Sequence, residues 1–149
     1  MNKSLIKFFD KIIVVLLGFV GLSSIIYSCA KYGMILPEFE IKGVVTDKTT
    51  AKPIQNIRII REQHDDTLYT NSKGEYASKF WESKYHLIER GNPIRLKIED
   101  IDGEANSGDF ETQEIDVKIT EADLAKKGRR DKTPDIYVKK QNIQLEHKK

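Results

Sequence analysis

One cysteine in 149 residues has nothing to pair with inside the chain, so no disulfide framework holds this protein together. The three histidines, His64, His86 and His147, share no zinc-like spacing with one another, with the cysteine or with a carboxylate. There is no Gly-rich phosphate loop and no G-x-S-x-G elbow. No catalytic residue is assigned, and the chain is expected to be neither an enzyme nor the holder of a cofactor. An excess of basic charge is missing too. Three lysines and one aspartate precede Cys29, which leaves 22 basic and 22 acidic residues from there onward. A neutral, evenly mixed body lacks the clustered basic face that nucleic acid requires. The length suits one domain with a real core and is too short for two.

What the chain does have is a strong contrast at its start. Lys3, Lys7 and Lys11 are followed by "IIVVLLGFVGLSSII", residues 12–26, which carry no charge. As a helix this run would extend roughly 22 Å, short of the ~20 residues that a full membrane span prefers. A basic start and a short apolar run form the pattern of a secretory signal. Here the run gives out at Ser28 and Cys29, after Ile26 and Tyr27. This junction resembles the bacterial lipoprotein signal, in which the cysteine is acylated and becomes the first residue of the mature protein. The resemblance implies cleavage before Cys29 and a membrane anchor of acyl chains, palmitate among them, on its thiol. Each buried CH₂ contributes ~0.8 kcal/mol, so several chains give a firm anchor where one would be marginal. The alternative is an uncleaved single-pass anchor. The expected organisation is a signal peptide over 1–28, a stem over 29–37, one domain over 38–140 and a flexible tail over 141–149.

Beyond the stem, apolar residues recur with a period of two. Phe39, Ile41, Gly43 and Val45 share one face, and Ile57 and Ile59, then Ile94, Leu96 and Ile98, repeat the pattern. Ile115, Val117 and Ile119 follow, and then Ile136 and Val138. Short alternating strands at 39–45, 56–61, 75–80, 94–100, 114–119 and 135–140 predict an all-β, antiparallel sandwich behind an N-terminal signal helix. One helical turn is predicted at "TEADLAKKG", capped by Thr120 with Asp123 three residues on and ended by Gly128. "WESKYHLIERGNP" reads as a long loop.

Two stretches carry a family likeness. Gly43, Val45, Asp47, Pro53, Ile54 and Ile57 in the first, and Thr70, Gly74 and Tyr76 in the second, resemble the carboxypeptidase regulatory-like domain, a prealbumin-like Greek-key sandwich. Asn56 and Asn71 stand where that family has Gly and Asp. Asn tolerates the left-handed conformation and makes the same local turn bond as Asp. Ala51 replaces a family Gly. Together with the Cys29 junction, the stem residues Tyr32, Gly33, Met34 and Pro37, and the "IEDIDGEANSGDFETQEIDVKIT" stretch, the chain resembles the radical-SAM-associated lipoproteins of Bacteroidota. That resemblance implies a partner radical SAM enzyme, with this chain as substrate or accessory.

"DIDGEANSGDFE" has ligand-like spacing. Asp100, Asp102, Glu104 and Asn106 fall at alternate positions, with Glu111 further on. Ca²⁺ takes six to eight oxygens, and the spacing is that of an EF-hand loop except at Ala105, where Gly is needed. An acidic hairpin whose carboxylates face water is the plainer account. Tyr76, Phe80, Trp81 and Tyr85 have the chemistry to stack a sugar, yet at strand spacing aromatic residues more commonly build core. The functions that follow are a non-catalytic envelope module that binds or presents an unidentified protein or glycan, a partner of a radical SAM enzyme, or a calcium- or glycan-binding module. Ala30, Lys31 and Tyr32 form no acidic run of the kind linked to surface export, which places the domain in the periplasm of a Gram-negative cell.

Overall fold

The computed structural model describes residues 11–17, 35–62, 66–105, 108–129 and 132–149. Residues 11–17, inside the expected signal segment, are helical and exposed. No helix among the described residues is long and apolar enough to cross a membrane. The remaining description concerns the second unit, Ile35–Lys149.

Among the described residues nine strands form two sheets. They are β1 (Glu38–Asp47), β2 (Ile57–Arg61), β3 (Asp66–Tyr69), β4 (Glu75–Trp81), β5 (Ile94–Asp100), β6 (Gln113–Val117), β7 (Leu124–Lys126), β8 (Ile136–Lys140) and β9 (Ile143–Leu145). The first sheet runs β4-β1-β8-β7, with β9 also on β1, and the second runs β3-β2-β5-β6. Alternation does what period two requires: β4 buries Tyr76, Ser78 and Phe80 and turns Glu75, Ala77, Lys79 and Trp81 outward. Phe39 stacks on Phe80 and Tyr137 at centroid distances of 5.6 and 5.1 Å. Ile57, Ile59, Leu96 and Ile98 supply buried side chains from the second sheet. Each such side chain, fully buried, is worth about 1.5–3 kcal/mol. The chain is thus an all-β sandwich.

Several expectations are corrected. The first sheet is mixed rather than antiparallel, because β8 and β9 both run parallel to β1. The pairing keeps one offset throughout, Lys42 with Lys140 and Val45 with Ile143, so β8 and β9 are one strand interrupted at Gln141 and Asn142. There the Gln141 carbonyl turns inward over Gly43 and accepts from the Tyr76 hydroxyl at 2.6 Å. The Asn142 side chain replaces the missing ladder bond by accepting from Val44 N–H at 3.1 Å.

It follows that residues 141–149 are not a flexible tail. Ile143 and Leu145 are buried, and Phe110 bridges His147. In β8 the buried residue is Tyr137, not Ile136 or Val138. Both faces of that strand carry apolar atoms, and the ring stack on Phe39 decides which one goes in. Thr120 and Asp123 do form a capping box, but on a single 3₁₀ turn (Glu121–Asp123) that passes straight into β7, well short of Gly128. The expected loop after Trp81 contains a π-turn, Tyr85–Glu89, that buries Leu87.

Candidate functional site

Ser28 and Cys29 lie outside the described residues, as do His64 and Asn106. The likeness residues that are described all have mechanical roles. Asp47 caps the turn after β1, accepting from the Thr50 hydroxyl and from Thr49 N–H at 2.8 Å, which holds its carboxyl at about 2. His147 Nε2 lies 3.4 Å from the same carboxylate. Ala51 in this turn and Asn56 after it have φ of 58° and 63°, in the left-handed region that favours Gly. Thr70 joins two segments: its hydroxyl donates to Ile54 O at 2.7 Å and accepts from Ile57 N–H at 3.0 Å. Asn71 accepts from Lys73 and Glu75 N–H at 2.9 and 3.0 Å, shaping the turn that Gly74 completes at φ 69°.

The acidic loop follows β5. Asp100 is only partly exposed, and both its oxygens are engaged: Oδ1 accepts from Asp102 N–H at 3.2 Å and Oδ2 from Phe110 N–H at 3.0 Å. Asp102 accepts from the Asn56 amide at 2.8 Å. Glu104 and Glu111 are exposed. The loop is closed by protein donors and by the C-terminal residues, with Glu111 N–H on Glu146 O at 2.9 Å and Lys148 paired to Asp109 at 2.6 Å. Among the described residues no group of three or more His, Cys, Asp or Glu side chains could hold a metal ion. The expectation that these carboxylates simply face water therefore needs correcting at Asp100 and Asp102. Asp100→Ala would strand two backbone N–H groups and is expected to cost about 1–3 kcal/mol, read from chemical denaturation.

The four aromatic residues separate by face. Tyr76 and Phe80 are core, whereas Trp81 and Tyr85 are exposed, with the Arg90 guanidinium 5.1 Å from the Tyr85 ring centroid. They form no common platform. Two other features escaped the sequence reading. Arg61, at the end of β2, is buried with its guanidinium 4.2 Å from the Phe80 ring centroid and 3.5 Å from Asp66, and burial lowers its pKa. Its place on the inward face of β2, two residues after Ile59, was the available signal.

The second feature is an open groove of about 690 Å³ between the β9 and β6 edges. Thr46, Glu111, Gln113, Gln141, Asn142 and Gln144 line it with amide, hydroxyl and carboxylate groups around a small apolar floor of Val44, Ile115 and Ile143. With Lys48, Thr112 and Glu146 also in the lining, the groove presents hydrogen-bonding and charged groups to solvent.

No known protein family matches the chain, and no curated protein does either. Among solved structures, a proposed carbohydrate-binding protein from Bacteroides uniformis aligns over 73% of this chain and 41% of its own, at 14% identity and a TM-score of 0.41. The Bacillus anthracis TIE protein aligns over 74% and 18%, at 13% and 0.37. 3-Chlorocatechol 1,2-dioxygenase from Rhodococcus opacus aligns over 76% and 62%, at 10% and 0.46. The chain thus spans less than two thirds of each of these proteins, and likeness at this level assigns no function.

Proposed function

We propose that the chain is a non-catalytic, membrane-anchored lipoprotein of the Gram-negative envelope, and that its sandwich is an interaction or presentation module. The observation that carries this is the junction at Ser28-Cys29, which follows three lysines and fifteen uncharged residues. The prealbumin-like Greek-key assignment is supported by the turn roles of Asp47, Thr70 and Gly74. The polar groove beside β9 supports binding of a hydrogen-bonding partner. That the Asp100 and Asp102 carboxylates already have protein donors favours this reading over a calcium module. A radical SAM enzyme as partner rests on the sequence resemblance alone, and the absence of an acidic run after Cys29 supports a domain in the periplasm.

Cys29→Ala is expected to abolish acylation and cleavage before residue 29 while leaving the melting of the sandwich unchanged. Mass spectrometry of membrane fractions should find an acylated Cys29 at the mature N-terminus of the wild type. An unprocessed Met1 with a free Cys29 thiol would refute the proposal.

A further inference from the structure

The two ends of the sandwich differ. Strand β1 begins at Glu38, whose cross-strand partner is Trp81, and ends about 30 Å away at Asp47. The far end carries the Asp47 turn, the Gly74 turn, the acidic loop and His147, with Tyr69 and Ile101 as scattered exposed side chains among these polar groups. The near end receives the stem, and its exposed large side chains are apolar or amphipathic: Trp81 is 63% exposed, Tyr85 55%, Ile35 43% and Leu36 38%. Lys84 ties the π-turn to this end, since it pairs with Glu121, whose carboxylate also accepts from the Tyr137 hydroxyl.

We infer that this near end, led by Trp81 and Tyr85, rests on the lipid surface. Trp and Tyr favour the headgroup region because an apolar ring and a polar N–H or O–H are both accommodated there. The tether selects the same end. Glu38 lies nine positions after Cys29, a reach of at most about 30 Å when fully extended. A tether that leaves the domain beside Trp81 brings this end to the bilayer ahead of the end that carries the Asp47 turn. Charge at this end is mixed, with Glu38, Glu82 and Glu89 near Lys79 and Arg90, so the contact is made by aromatic insertion and is insensitive to salt.

The inference rests on the membrane-anchored reading, though not on the chemistry of the anchor. Trp81 is the only tryptophan in the chain, so it reports on itself. The full-length protein is reconstituted into phosphatidylcholine vesicles with and without bromine on the acyl chains. Trp81 emission should fall about twofold in the brominated vesicles, as an interfacial indole requires. In a Trp81→Phe/Lys52→Trp variant, with the reporter in the turn at the opposite end, emission should be unchanged. An unquenched Trp81, or equal quenching at both positions, overturns the inference. Mass spectrometry of the same preparation separates the two readings. Acylated but unquenched protein refutes the lipid contact alone, and quenched but unacylated protein refutes the lipid modification alone.

Discussion

Gly43→Ala is expected to destabilise the sandwich by about 4 kcal/mol, although it adds a single methyl group in the middle of a strand. A Cβ on Gly43 would stand 1.9 Å from the Gln141 carbonyl oxygen and 2.6 Å from its carbon. Both are backbone atoms, and the carbonyl is held there by the Tyr76 hydroxyl and by Gln141 N–H on Lys42 O at 2.8 Å. To admit the methyl, the crossing from β8 to β9 must lift. That breaks the Tyr76 bond and loosens the docking of Ile143 and Leu145. Denaturant midpoints should show the loss, and proteolysis should release the C-terminal residues first. A change below about 1 kcal/mol would mean that the crossing moves aside freely.

Gly74→Val should cost about as much, through two causes at once. The residue has φ 69°, which a β-branched side chain adopts only as an outlier. A Cβ there would also lie 2.5 Å from Val45 O and 3.0 Å from the Pro53 Cβ. Gly91 separates the causes, because its φ is 67° but nothing lies within 4 Å of a Cβ. Gly91→Val should therefore show the conformational cost alone, about 1–2 kcal/mol. Gly74→Val should clearly exceed it in the same denaturation experiment. Equal losses at the two positions would show that overlap at Gly74 contributes nothing.

These glycines also show what was legible in the sequence. The need for a left-handed residue at 56 and at 74 could be read from Asn and Gly beside turn-forming neighbours, because turn chemistry is local. The long strands were equally plain, since β1, β4 and β5 each complete several periods of alternation. Strands β3, β7 and β9 have four, three and three residues, too few to establish a period. Nothing local announces that β8 and β9 lie parallel to β1, as the partners sit at opposite ends of the chain. At the acidic loop, spacing revealed the oxygens but not their direction. Asp100 turns both of its oxygens on backbone N–H groups rather than outward. The proposed lipid site rests on the sequence alone, at Ser28-Cys29 and the run before it, whereas the groove beside β9 required knowing that β9 closes on β1.

That closure sets a clock. Strand β1 is the first strand of the domain, and one whole edge of it is completed only by residues 136–145. Contacts spanning nearly the full length of a chain are slow to form and cannot form before the last partner exists. A chain emerging N-terminus first from a ribosome or a translocation pore would therefore keep that edge open until residues 136–145 had appeared. Under the proposed export in an unfolded state this delay would be an advantage: the sheet that would jam a narrow pore cannot close until residues 136–145 have passed.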